Sequence, residues 1–140
     1  MGNICCNILT LESLLIEIGN NVTIGNKVDF VTHDNNISKI SPDTINLFGK
    51  IEIGNDCFWG GNSTYLYGVK LADNIIVATG SVVVDSFTTE RIIIGGNPAM
   101  VISTWDKFFE KSQDKARGRK DIQNVLEEHP ELLIKRKSRG

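Results

Sequence analysis

The sequence predicts an all-β chain wound as a parallel β-helix, followed by an α-helical extension. Three observations carry this reading. Residues 51–83, IEIGNDCFWGGNSTYLYGVKLADNIIVATGSVV, repeat every six residues, with Ile53, Trp59, Tyr65, Leu71, Val77 and Val83 heading successive hexads. A second series four residues further on, Cys57, Ser63, Val69, Ile75 and Ser81, is small or β-branched throughout. Turn-forming residues sit between the two series: Gly54, Gly60, Asn55, Asp56, Asn62, Asp73 and Asn74. An amphipathic helix has a period near 3.6 and a half-buried strand a period of 2, so neither explains a period of six. A short flat strand plus a sharp corner does, and three such hexads close one triangular turn, stacking residues about 18 apart. Ile53 is then expected against Leu71, Trp59 against Val77, and Tyr65 against Val83. A run of short antiparallel strands would not hold so strict a register.

From the N-terminus, NILTLESLLIEIG suits an imperfect first coil with Leu9, Leu11 and Leu15 turned inward. Ile18, Ile24 and Phe30 then lead the hexads IGNNVT, IGNKVD and FVTHDN, with Val22 and Val28 in the second series. Phe30 and Ile53 are 23 residues apart, one short of a whole number of hexads, so the register breaks between them. The intervening DNNISKISPDTINLFGK has turn chemistry rather than strand chemistry. Residues 34–49 are therefore expected to be a loop extruded from one corner, and long loops on a rigid scaffold tend to carry binding function. After Val83 the pattern loosens through Asp85–Glu90 and recovers at RIIIGGNPAMVI, where Pro98 ends the coil. The β-helix domain is thus placed at residues 1–102.

Residues 103–140 change period. Trp105, Phe108 and Phe109, then Ile122, Val125 and Leu126, suit amphipathic helices separated at Gly118 and ended near Pro130. Ser103 or Thr104 is the candidate cap of the first, with Asp106 in its first turn. Such helices would cover the open end of a coil, which otherwise exposes unpaired backbone.

Composition narrows the class. The 140 residues carry a net charge of −2 and no apolar run of the length that spans a bilayer. Residues 1–102 hold 5 basic and 10 acidic side chains, and 103–140 hold 10 basic and 7 acidic. The tail's charges are mixed in sign, which suits a solvated helix surface rather than a nucleic-acid footprint. MGNICCNILT lacks the basic and long apolar regions of a secretory signal. Its Gly2, Cys5 and Cys6 depart from the acylation pattern, which wants Ser or Thr where Cys6 stands. Three cysteines, with Cys57 at a core-facing position, read as reduced thiols in a cytoplasmic protein. Outward bulky residues such as Phe58 and Tyr67 favour self-association. A closed ring suits a triangular prism better than a two-fold pair, because each prism can bury an edge against each neighbour.

Of the two histidines, His129 precedes a proline at an expected helix end, whereas His33 lies at the mouth of the polar loop. An imidazole ordinarily titrates near neutrality, which suits a general base for a hydroxyl or amine acceptor. A catalytic metal needs several converging ligands; the coil offers His33 alone, with Cys57 expected to point inward, so no metal is expected. There is no Gly-x-Ser-x-Gly elbow, P-loop or dinucleotide fingerprint.

Four elements in order, IGNNVTIGNKVDFVTHDNN, GKIEIGNDCFWGGNS, the GSVV of ATGSVV, and GGNPAMVI, resemble the bacterial hexapeptide-repeat acyltransferases. The resemblance covers about residues 7–102 and is nearest the sugar O-acetyltransferase branch, with its galactoside, maltose and capsular-polysaccharide acetyltransferases. It implies a left-handed β-helix, a homotrimer with active sites between subunits, acetyl-CoA as donor, and direct transfer to a hydroxyl of a sugar or glycan precursor. His33 falls on the general base of that family, Gly61 where a backbone N–H faces the oxyanion, and Phe58 where an aromatic lines the cleft. Thr79 and Gly80 fall on the corner bordering the pantetheine arm, and Asn97 and Pro98 on the turn near the nucleotide; as plain residues, all four also suit corner formation alone. Asn7 and Glu12 match acceptor-holding positions, although the segment is one residue shorter here, and Asp34 is a candidate for orienting the imidazole. The chain departs from the pattern at Tyr67, where a corner proline is usual, and at Asp85 and Met100, where basic residues usually face the CoA phosphates. Lys107 or Lys111 would have to supply that charge, unless CoA binds weakly. Trp59 is larger than the usual Ile. Two alternatives stay open: an acetyltransferase for a xenobiotic such as an antibiotic, and a non-catalytic β-helix scaffold.

Overall fold

The computed structural model describes residues 12–140. The chain divides into two compact units, one running to Trp105 and the other spanning Asp106–Gly140.

The first unit is a coil of very short strands. Ile16–Ile18 (β1), Thr23–Ile24 (β2) and Asp29–Val31 (β3) make the first turn. A hairpin of His33–Asp34 (β4) and Leu47–Phe48 (β5) interrupts it. Ile51–Ile53 (β6), Phe58–Trp59 (β7) and Thr64–Leu66 (β8) make the second turn, and Lys70–Leu71 (β9), Ile75–Val77 (β10) and Val82–Val83 (β11) the third. Ile92–Gly96 (β12) begins a fourth, and Ala99–Thr104 (β13) folds back along it. The strands assemble into three sheets, β1-β6-β9, β13-β12-β10-β7-β2 and β11-β8-β3, which are the sides of a triangular prism.

The stacking expected from the hexads is present. Ile53 pairs in register with Leu71, Trp59 with Val77, and Tyr65 with Val83. Both hexad series point inward, with Ile53, Trp59, Tyr65, Leu71, Val77, Val83, Cys57, Ser63, Val69, Ile75 and Ser81 all buried. The polar members are satisfied: the Ser63 hydroxyl donates to the Gly60 carbonyl at 2.7 Å and the Ser81 hydroxyl to the Ala78 carbonyl at 2.6 Å. Trp59 packs with Phe30 and Tyr65, its ring centroid 5.3 Å from the first and 4.8 Å from the second. Aromatic side chains bury the largest apolar area per residue, and this cluster fills the prism where a branched aliphatic would leave space.

The corners explain the Asn, Asp and Gly positions. Asn21, Asp56, Asn74 and Arg91 have φ between 54° and 60°, and stack as one column along a prism edge. Asn and Asp tolerate this left-handed conformation because their short side chains hydrogen-bond locally. Their neighbours tie successive turns together: the Asn20 N–H donates to Asn55 Oδ1 and the Asn55 N–H to Asp73 Oδ1, each at 2.7 Å. Gly60 has a different reason. A Cβ there would collide with the backbone of Thr79 in the next turn.

Three expectations need correction. Residues 12–15 form a 3-10 turn rather than strand, with Leu14 69% exposed; Leu9 and Leu11 lie outside the described residues. The 34–49 segment is not an unpaired loop. Its ends form an antiparallel pair, His33 with Phe48 and Asp34 with Leu47, and Asn36–Lys39 makes a 3-10 turn. Pro98 does not simply end the coil, because the Asn97-Pro98 turn reverses the chain and β13 adds an antiparallel strand to the second sheet. Ser103 and Thr104 are thus the last residues of that strand.

In the second unit, the helix Trp105–Ser112 (α1) enters from the first and carries Asp106 in its first turn. Gly118 precedes a 3-10 turn leading into Ile122–Glu128 (α2), which stops before Pro130. Val125 is buried, whereas Phe108 and Phe109 are more than half exposed.

Candidate active site

His33 is positioned by the two-residue ladder that roots the hairpin on the prism. The Gly49 N–H donates to the Thr32 carbonyl at 3.1 Å and closes the root. The imidazole is half-buried, its ring centroid 5.8 Å from that of Phe48 with the planes tilted by 33°. Asp34, the candidate for orienting the imidazole, bonds into the turn that follows it. Its Oδ1 accepts the Asn36 N–H at 2.9 Å and its Oδ2 the Asn36 side-chain amide at 3.1 Å. That turn shapes the start of the hairpin. Asn7 lies outside the described residues, and Glu12 opens the 3-10 turn.

The other candidates gather on a different edge. Between the second and third sheets the Gly80 N–H donates to the Gly61 carbonyl at 2.9 Å, and the Asn62 N–H to the Asn26 carbonyl at 2.9 Å. Gly80 has φ of +74°, which an L side chain adopts only at a cost. Thr79 is exposed beside it. The Gly96 N–H donates to the Ser81 hydroxyl at 3.3 Å, which brings the exposed Asn97-Pro98 turn to the same edge. Gly61, Thr79, Gly80, Asn97 and Pro98 therefore form one group. His33 is not part of it: the third sheet separates the two edges, and a three-residue strand alone spans ~10 Å.

Phe58 lies on the second sheet, outward and 47% exposed, between Thr23 and Ile76. A groove of about 420 Å³ runs past it, lined by Asn21, Thr23, Asp56, Asn74, Ile76 and Trp105 as well. Trp105 opens α1, as its period suggested, and also lines this groove. Its backbone N–H donates to the Arg91 carbonyl at 2.9 Å, and the Arg91 guanidinium lies 5.3 Å from its ring centroid. The indole Nε1 is buried with no hydrogen-bond partner among the described residues. Nothing in the local sequence marks Trp105 as a groove residue, because the reversal at β13 that brings it there is not legible in the hexads.

Among the described residues no three His, Cys, Asp or Glu side chains converge in a way that would hold a metal ion. No described helix is long and apolar enough to cross a membrane. Asp85 and Met100 are both exposed, and Met100 leaves 60% of its surface in water.

A profile described as "Hexapeptide repeat of succinyl-transferase" matches residues 50–84, the stretch with the strictest period. The chain is 40% identical to protein CapG of Staphylococcus aureus over 127 residues, covering 89% of this chain and 72% of that protein. It belongs to the hexapeptide-repeat acyltransferase family. The fold is accordingly the left-handed β-helix of these acyltransferases. A hexapeptide-repeat acetyltransferase of Vibrio cholerae, solved with acetyl-CoA, superposes with a TM-score of 0.59 and 27% identity over 64% of this acyltransferase and 49% of that chain. A galactoside acetyltransferase solved with coenzyme A gives a TM-score of 0.61 at 23% identity, over 68% of this chain and 48% of its own. The acyltransferase thus spans about half the length of each solved protein.

Proposed function

We propose that this acyltransferase moves an acetyl group from acetyl-CoA to a hydroxyl of a sugar or glycan precursor, with His33 as general base, at a cleft between two copies of a trimer. The observation that carries the reading is the division of the candidates between two prism edges. The base stands on one edge and the glycine-rich group on another, so a complete site requires the His33 edge of one copy to meet the Gly61 edge of a neighbour. A prism offers such contacts around a closed ring.

The chemistry follows from these roles. A ring nitrogen of His33 takes the proton of the acceptor hydroxyl as its oxygen attacks the thioester carbonyl carbon. The oxyanion so formed is held by the Gly61 N–H, a fixed dipole aimed at charge that develops only in the transition state. The carbon–sulfur bond then breaks, the carbonyl re-forms, and the imidazolium returns its proton to the departing CoA sulfur. Thr79, Gly80, Asn97 and Pro98 border the donor on the Gly61 edge, and Phe58 stands outward on the second sheet that leads to that edge. Acetyl-CoA as donor is supported by the Vibrio cholerae relative, which was solved with it. A hydroxylated acceptor is supported by the sugar-acetyltransferase motifs around His33 and by the polar start of its hairpin. The galactoside acetyltransferase of the same fold bears the name of such an acceptor.

Thioester turnover with a panel of sugars, comparing wild type with His33→Ala, tests the proposal. Removal of a general base is expected to lower the rate ~10²–10⁴-fold; an unchanged rate would remove His33 from the reaction. The exposed Asp85 and Met100, where the family pattern has cations, favour one second reading, a scaffold that has lost CoA binding. Thermal shift decides it, since a ligand that binds the native state must stabilise it.

A further inference from the structure

We propose that Phe48 is a stacking platform for the pyranose ring of the acceptor, so that one strand pair presents both the base and the surface that holds the sugar beside it. The inference rests on the acyl-transfer reading above and names a residue that the sequence pattern does not single out.

The two residues are partners in the antiparallel ladder, His33 on β4 and Phe48 on β5. Their ring centroids are 5.8 Å apart. Phe48 nevertheless leaves 59% of its surface in water. An aromatic ring so placed forgoes most of the apolar burial that makes such a residue worth keeping. It is also not at the loose tip of the hairpin, where Ile40 is 88% exposed. The Gly49 N–H bond to Thr32 fixes the backbone immediately after it. The ring is therefore a half-used apolar surface on a tied stretch of backbone, beside the only described histidine of the coil.

A pyranose ring is the ligand that fits this combination. It has a face of C–H bonds with slight positive charge, and hydroxyls around its rim. The C–H face complements the negative face of an aromatic ring, and stacking there directs a rim hydroxyl toward the imidazole. Orientation of this kind is where an acceptor site gains its rate, because the attacking oxygen must be held near the base and the thioester together.

The test is the separation of acceptor and donor constants in Phe48→Leu, which keeps apolar volume without the ring, and in Phe48→Tyr, which keeps the ring. The acceptors are methyl glycosides of galactose, glucose and N-acetylglucosamine. Phe48→Leu is expected to raise the acceptor KM about fivefold to tenfold, to leave the KM for acetyl-CoA unchanged, and to be rescued by Phe48→Tyr. An acceptor KM within twofold of wild type overturns the platform, as does a change in oligomeric mass, which would make the ring a contact between copies. Should wild type acetylate none of the glycosides, the transfer reading fails on its own. The platform is then judged by saturation-transfer NMR with the same glycosides. Transfer from aromatic protons to sugar C–H protons, lost in Phe48→Leu, sustains it; its absence in wild type overturns it.

Discussion

The carboxylate of Asp73 accepts the backbone N–H of Asn55 at 2.7 Å, from the next turn of the coil. The bond repeats the one that Asn55 makes to the Asn20 N–H, so one prism edge carries a ladder of side-chain acceptors on backbone donors. Asp73→Ala leaves the Asn55 N–H without its acceptor and is expected to cost about 1–3 kcal/mol. Asp73→Asn keeps an acceptor oxygen and should cost less than half as much. Denaturant unfolding at one fixed protein concentration measures both.

Trp59 is the largest fully buried side chain of the coil. Trp59→Ala removes the centre of the Phe30–Trp59–Tyr65 cluster and is expected to cost about 3–5 kcal/mol. Trp59→Phe should cost much less, because it also removes an indole N–H that has no hydrogen-bond partner among the described residues. Thermal unfolding of the two variants orders them; equal losses would mean that the full indole is required and that an aromatic ring as such does not fill the prism.

Stability should fall in alkali. Burial pushes the Cys57 thiol above its ordinary value of 9.0 and the Tyr65 phenol above its ordinary value of 10.0. Above those ordinary values the unfolded chain releases both protons while the folded chain keeps them. The unfolded state then binds fewer protons, and the free energy of unfolding decreases with pH. Well below pH 8 neither group contributes a slope, since both are then protonated in both states. Tyr65→Phe and Cys57→Ser should each flatten the decline above pH 10, read from denaturant midpoints across pH.

If the site is composite, two defective chains should rescue each other. His33→Ala lacks the base and Gly61→Val crowds the opposite edge, where a Cβ already meets the Asn26 carbonyl at 3.1 Å. Each homo-oligomer is expected to be at least ~10²-fold impaired. Mixed oligomers, formed by co-expression with two different tags, should recover activity, because the intact edge of one chain faces the intact edge of the other. No recovery in a verified mixed oligomer would place the whole site within one chain.

The prism was legible in the hexads because its stacking is a matter of period: Ile53, Trp59 and Tyr65 each find the partner 18 residues on. The hairpin was not, because two residue pairs hold it together and neither strand alternates for long enough to be read. The reversal at Asn97-Pro98 hid in the same way: β13 has the composition of another coil strand, and only its partner in β12 gives it an antiparallel sense. That hidden reversal is why the groove contact of Trp105, at the start of α1, could not be read from its helical period. Of the proposed site, His33 was readable from its place at the break in register. Phe48 was not, since its proposed role depends on a cross-strand neighbour 15 residues away in sequence.

The hairpin also leaves the winding untouched. Ile16 pairs with Ile51, Thr23 with Phe58 and Asp29 with Thr64, a constant offset of 35 against 18 in the following turn, so 17 residues are added without shifting a single stacked pair. Descendants of this gene can thus rewrite the segment between Thr32 and Lys50, in length or in content, while inheriting a spring that already folds. New appetites in such a lineage would arise by exchanging a fitting rather than by redesigning the shaft that carries it.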